Sequence, residues 1–232
     1  MGRKDGTASI IFLWEKAVKQ IFFILSALFL FVLISCCTND LKNLTTAREE
    51  VKGYYTSGKY DEELNEVIKN AKAEFDKVIF KENSVVVFDV DETALNNYEL
   101  AEQMGFGYVY KMNKDWNAEM KAPAIPQVKD LYEFLLNKGS KIIFLTGRNL
   151  PEYSVTYNNL IKASYTKFDT LITQIGDETK LNALTFKSSK RIELTNKGYD
   201  IVGTVGDQWS DLNGEHHGIQ VKIPNYLYLI ED

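Results

Sequence analysis

The sequence predicts an α/β fold, a doubly wound parallel sheet with a small helical insertion, and three observations point to it. Three apolar runs of strand length, Val85-Val86-Val87-Phe88, Lys141 to Thr146 and Ile201 to Gly206, read as strands buried on both faces. Segments of helical spacing alternate with them, the rhythm of βαβ units. Each run also stops at residues able to do chemistry, and open α/β sheets place ligands at the carboxyl ends of their strands.

The elements follow in order. After a polar tether over residues 36–43, Leu44 to Lys59 and Glu62 to Phe80 show helical spacing, with Leu64, Val67, Ile68, Ala71 and Phe75 on one face. The first strand comes next. Ala94 to about Ala122 is aromatic-rich and poorly periodic, and Pro123-Ala124-Ile125-Pro126 closes it as a rigid turn, so it reads as a helical cap or insertion. Val128 to Asn137 is an amphipathic helix stopped by Lys138-Gly139, and the second strand follows. Leu150 to Ala163 reads as a helix, Thr170 to Thr173 as a short strand, and Ser188 to Lys197 as a helix ended by Gly198. The third buried strand and Ile219 to Ile223 complete the sheet, so residues 44–232 form one domain.

Residues 1–35 read as a leader. Ile21 to Ser35 is an apolar run preceded by Lys16 and Lys19, which fits a signal peptide and falls short of the about 20 residues of a bilayer span. Leu33-Ile34-Ser35-Cys36 resembles the bacterial lipobox, which makes Cys36 the lipidated first residue of an exported chain, anchored to the cell envelope at the outer membrane. The region before the run is long and has its own apolar patch at Ile10 to Trp14, so an uncleaved anchor is the competing reading. Both cysteines, Cys36 and Cys37, lie at this junction, which excludes a disulfide or thiolate metal site in the domain beyond. Without residues 1–35 the chain carries 23 Lys and Arg against 30 Asp and Glu, a net −7 that disfavours a nucleic-acid polymer as partner.

The chemistry is concentrated at strand ends. Asp89 and Asp91 follow the first strand, where the turning chain lets them flank one substrate atom from different sides; the alternative is an acidic cap on the helix that follows. Thr146-Gly147 offers a hydroxyl and free backbone N–H groups to phosphate oxygens, or simply caps a helix. Lys187 stands at the start of a helix, an unfavourable end for a cation unless an anion is near, while Lys190 and Arg191 read as a solvated face. Asp207 and Asp211 repeat the opening arrangement after the third strand, and grouped with Asp89 they suit Mg²⁺. The absence of Cys from the domain and the presence of two His in the chain argue against zinc, and His216-His217 reads as a solvent-exposed turn. Tyr98, Phe106, Tyr108, Tyr110 and Trp116 either stack a nucleobase over the site or form the core of the cap.

DxDxT at Asp89–Thr93, a strand ending in Thr146, Lys187, and GDxxxD at Gly206–Asp211 resemble, in order, the four motifs of the haloacid dehalogenase (HAD) superfamily. The strings DVDETALNN, APAIP, FLTGR, FKSSKR and GDQWSDL resemble the subfamily IIIB acid phosphatases, a group with class C lipoproteins, class B enzymes and vegetative storage proteins, over about Leu44 to Leu229. The lipobox directs the likeness to class C lipoprotein acid phosphatases of 5'-nucleotidase type, which hydrolyse nucleoside monophosphates. The resemblance implies a HAD-like fold, a phosphomonoester substrate and Mg²⁺. It makes Asp89 the nucleophile and Asp91 the general acid and base, with Thr146, Gly147 and Lys187 binding phosphate. It assigns the metal to Asp89, Asp207 and the backbone carbonyl of Asp91, with Asp211 either a direct ligand or a support to one, and base stacking to Trp116 with a partner ring from Ile223 to Tyr228. Asp91 is then expected to be protonated in the free protein, with activity highest below neutral pH. A receiver-type phospho-Asp switch and a silent binding or storage protein are the alternatives on this scaffold, opposed by the acid at Asp91, the lipobox and the intact motifs.

Overall fold

A computed structural model describes residues 42–230, together with Trp14, Lys19 and Gln20. The leader, the lipobox and Cys36 otherwise lie outside the described residues. The chain divides into two compact units, residues 1–44 and 45–232. Among the described residues no helix is long and apolar enough to cross a membrane.

The second unit is built on a five-stranded parallel sheet of order β3-β2-β1-β4-β5. The strands are β1 (Ser84–Phe88), β2 (Lys141–Asn149), β3 (Thr170–Gln174), β4 (Asp200–Gly206) and β5 (Ile219–Lys222). Strand order reverses direction at β1, so the crevice between the ends of β1 and β4 is where such a sheet opens to a ligand. Alternation along β1 divides the core between two faces. Val86 and Phe88 pack with Leu64, Phe75, Leu131 and Leu135, whereas Val85 and Val87 pack with Ile143, Leu145, Phe186 and Leu194.

Helices α1 (Leu44–Thr56) and α2 (Lys59–Phe75) precede the sheet. Their boundary lies earlier than the apolar spacing suggests, because Gly58 adopts φ +90°, a conformation that ends one helix and lets the next begin. The insertion after β1 holds two short helices, α3 (Tyr98–Gln103) and α4 (Tyr110–Ala118), followed by α5 (Pro126–Asn137). A single 3₁₀ turn, Leu150–Glu152, leads into α6 (Tyr153–Lys162). Helix α7 (Ala183–Asn196) starts five residues before the Ser188 expected from sequence, because Asn182 caps it, its side chain accepting the Thr185 N–H at 2.8 Å. The short α8 (Trp209–Leu212) follows β4.

Candidate active site

Asp89 is aimed by the sheet itself. Its N–H donates to Val205 O at 2.9 Å, extending the β1–β4 ladder one residue beyond β1, and the residue is buried. Lys187 Nζ donates to Asp89 Oδ1 at 2.6 Å and to Asp211 Oδ1. Lys187 lies inside α7 and not at its start, so burial between two carboxylates, rather than a helix end, is what fixes its role. Burial would strip its proton, but Asp211 and Asp89 outweigh burial and hold it firmly protonated.

Asp207 and Asp211 come from the end of β4 and from α8. Gly206 makes the approach possible, since a Cβ there would fall 2.3 Å from the Asp211 Cβ. Asp211 Oδ2 accepts the Gln208 N–H at 2.9 Å. Asp207 Oδ1 accepts from Thr93 Oγ1 at 3.2 Å, and its Oδ2 accepts from Gln208 Nε2 at 2.5 Å and Asn225 Nδ2 at 2.6 Å. Burial, then Asp211 and Glu92, push the Asp207 carboxyl up to about 7. Burial also raises Asp89 well above the usual carboxylate range; Lys187 pulls it back only in part, and Asp211 and Asp207 add to the rise. Desolvation thus exceeds like-charge repulsion as the cause.

Asp91 faces a different partner. Arg148 forks onto it, Nε at 2.8 Å from Oδ2 and Nη2 at 2.5 Å from Oδ1, and Asn97 Nδ2 donates to Oδ1 at 2.9 Å. Burial favours the neutral acid, but the charge and hydrogen bonds of Arg148 prevail and hold Asp91 below its ordinary value. This direction runs against the protonated acid expected from sequence. Arg148 went unassigned in the sequence reading, although it closes the FLTGR string. Strand β2 runs on to Asn149 with its ladder to β3 interrupted between Leu145 and Asn149, and this irregularity frees Thr146, Gly147 and Arg148 for the site. Thr146 is buried and lines the cavity with Gly147, its Oγ1 accepting the Arg148 N–H at 3.2 Å.

Of the two expectations for Trp116, base stacking or the core of the cap, its burial matches the second. It is 5% exposed, and its Nε1 donates to Asn97 Oδ1 at 2.9 Å, so it fixes the amide that in turn donates to Asp91. Arg191 is also misread from sequence, being buried and not solvated, because α7 turns that face toward α8. His216 lies exposed, and His217 Nδ1 lies 2.7 Å from the neighbouring Gly218 carbonyl oxygen.

Asp89, Asp91, Thr146, Gly147, Arg148, Lys187, Asp207 and Asp211 line one cavity of about 300 Å³, with Tyr228 and Ile230 of the carboxyl-terminal tail as a wall. A second cavity of about 420 Å³ adjoins it at Asp91 and is walled by Leu100, Met104, Phe106, Tyr108 and Tyr228. The tail is tied down by the Tyr228 hydroxyl donating to Glu92 Oε2 and by Ile230 N–H donating to Gln208 Oε1 at 3.0 Å. Neither Asn225 nor the tail clamp on Glu92 stood out in the sequence, because each acts through a partner distant in the chain.

The oxygens of Asp89, Asp207 and Asp211 lie within 4.8 Å of one another, all buried. Lys187 alone among the described residues forms ion pairs with this trio, so when all three acids are ionised two negative charges stand in excess in a buried site. An all-oxygen, carboxylate-only donor set with that excess fits a hard divalent cation. A proton linkage follows. Between about pH 3.9, where an unfolded Asp titrates, and the folded Asp207 value of about 7, the folded chain keeps protons that the unfolded chain has released. Metal-free stability therefore falls as pH rises through that window and levels off above it, whereas a cation selects the ionised form. The melting-temperature gain from Mg²⁺ should be small near pH 5 and much larger near pH 7.5. Equal gains by differential scanning fluorimetry would count against a metal at these carboxylates.

Residues 34–231 match the family described as HAD superfamily, subfamily IIIB (Acid phosphatase). The chain is 41% identical to a stem 31 kDa glycoprotein of Glycine max over 155 residues, 64% of this chain and 61% of the relative. It spans between 50% and 61% of the length of the soybean stem glycoproteins it matches. Acid phosphatase 1 of Solanum lycopersicum is 34% identical over 203 residues, 83% of this chain and 80% of that protein. The class C acid phosphatase of Bacillus anthracis with tungstate bound shares the fold, with a TM-score of 0.63 at 23% identity over 80% of this chain and 85% of that one.

Proposed function

The chain belongs to the subfamily IIIB acid phosphatases of the HAD superfamily, and from that premise we propose that it is a Mg²⁺-dependent phosphomonoesterase held at a membrane by lipid on Cys36. The observation that carries the catalytic half is the paired arrangement of two carboxylates from one strand end. Asp89 faces Lys187, Asp207 and Asp211, while Asp91, two residues on, is held by Arg148 and Asn97.

The division of labour follows. Asp89 attacks phosphorus; the new carboxyl–phosphate bond forms as the bond to the ester oxygen breaks. Asp91 delivers a proton to the departing alcohol, then takes one from the water that hydrolyses the aspartyl-phosphate. The entering phosphate sets negative charge beside Asp91 and opposes Arg148, so the acid form is assembled in the complex and not in the free protein. Thr146 and Gly147 face the cavity where phosphate oxygens would lie, and Lys187 supplies fixed positive charge. When bound, Mg²⁺ neutralises the excess charge of Asp89, Asp207 and Asp211 and draws in phosphate oxygens. The adjoining apolar cavity opens at Asp91, the side from which the alcohol leaves, and its size and its rings at Phe106, Tyr108 and Tyr228 suit a flat leaving group such as a nucleoside.

One preparation tests the reading. The native chain, expressed and fractionated, should give phosphatase activity that sediments with membranes, requires Mg²⁺ and is lost to EDTA, with nucleoside monophosphates preferred over alkyl phosphates. Soluble activity argues against the anchor, indifference to EDTA against the metal, and absence of hydrolysis against the enzyme.

A further inference from the structure

Arg191 is fully buried, yet it forms no ion pair among the described residues. Its donors go to carbonyls of a single loop: Nη1 to Asp211 O at 2.6 Å, Nε to Glu215 O at 2.9 Å, and Nη2 to Asn213 O. Burial draws its pKa down to about 10, the mark of a charge kept out of water at a cost. An apolar side chain in the same space would leave these three carbonyls without their donor, so the guanidinium serves to hold this stretch of main chain and not merely to fill volume.

What it grips is the main chain of a carboxylate in the candidate metal site. Lys187, one turn before Arg191 on α7, takes the Asp211 side chain, and Ser188 Oγ accepts the Glu215 N–H at 3.0 Å. Three residues of one helix face thus hold residues 211–215. Gly214 completes the fit at φ +91°, where a Cβ would come 2.5 Å from Ser188 Oγ and 3.3 Å from Arg191 Nη2. With the backbone fixed at Asp211 and its Oδ2 bound to the Gln208 N–H, the remaining oxygen has little freedom to leave Asp89 and Asp207.

We propose that Arg191 is a positioning residue for the divalent cation: by fixing the main chain at Asp211 it sets that carboxylate at the spacing from Asp89 and Asp207 that binding requires. The proposal rests on the metal-dependent reading above, and it places the effect of Arg191 on cation affinity and turnover, through Asp211, rather than on substrate binding.

The test compares the full native chain with Arg191→Met and Arg191→Lys, measuring Mg²⁺ affinity by calorimetry without substrate, then kcat and KM. Supporting partners of metal ligands contribute about 10–100-fold to affinity or activity, and Arg191→Met should weaken Mg²⁺ by that factor and lower kcat while KM changes less than about twofold. Arg191→Lys keeps the charge and one donor and should recover part of the loss. Adding Arg191→Met to Asp211→Asn should cost little beyond Asp211→Asn alone, since Arg191 acts through that carboxylate. If Arg191→Met fails to fold, Arg191→Lys carries the comparison. Native Mg²⁺ affinity in the folded variants, whatever their melting temperature, overturns the role of Arg191 alone. A native chain that binds no Mg²⁺ overturns the metal reading along with it.

Discussion

Asp89→Asn is expected to reduce turnover by roughly 10⁴–10⁶-fold, the scale seen when a covalent nucleophile is removed. The amide oxygen carries no full charge and forms no acyl phosphate, so no weaker version of the same reaction remains. The fold should survive. Asn is nearly isosteric, the Asp89 backbone stays in the β1–β4 ladder, and Lys187 keeps Asp211 as a partner. The substitution also removes one of the two carboxylates paired with Lys187, in a site that holds a third buried acid, so the metal-free variant should be no less stable than the parent. Inorganic phosphate should still bind to it with Mg²⁺ present. Near-native hydrolysis by this variant would mean that the nucleophile lies elsewhere.

Asp91→Asn should lower kcat by about 10²–10⁴-fold, the range for a general acid–base group, while phosphate binding persists. The loss should depend on the leaving group. An aryl ester whose alcohol departs without a proton needs Asp91 less in the first step, so nitrophenyl phosphate should suffer less than an alkyl phosphate. Arg148→Met supplies the complementary reading. Without the guanidinium, burial governs Asp91 and its pKa rises, so the alkaline limb of the kcat profile should move to higher pH. Equal losses for both ester classes in Asp91→Asn, or an unmoved limb in Arg148→Met, would remove proton transfer from Asp91.

The contrast between these two carboxylates explains why one pH argument fails for both. Asp89 and Asp91 differ by two positions in sequence, and nothing local distinguishes their acidity. Lys187 reaches Asp89 from 98 residues away and leaves it raised by burial, whereas Arg148 reaches Asp91 from 57 residues away and lowers it. Arg148 therefore works against the protonated Asp91 expected from sequence. The decisive guanidinium sits on β2, brought in by a break in the β2–β3 ladder that no apolar pattern announces.

Sequence by itself determined the α/β rhythm, the buried strands and the clustering of acids at their carboxyl ends, because hydrophobic periodicity and chain order are local quantities written residue by residue. It determined the order of the motifs as well, and with them the family. Tertiary structure alone decided which face of α7 is buried, so that Arg191 went inward, and where Trp116 found a partner, so that it became a support for Asn97 instead of a surface for a base. It alone decided that Asn225 donates to Asp207 and that Tyr228 closes on Glu92 across 136 positions of chain. A hydrogen bond or a desolvated charge depends on what the fold places within about 3 Å of it, and that distance is set by packing between segments that share no neighbourhood in the sequence.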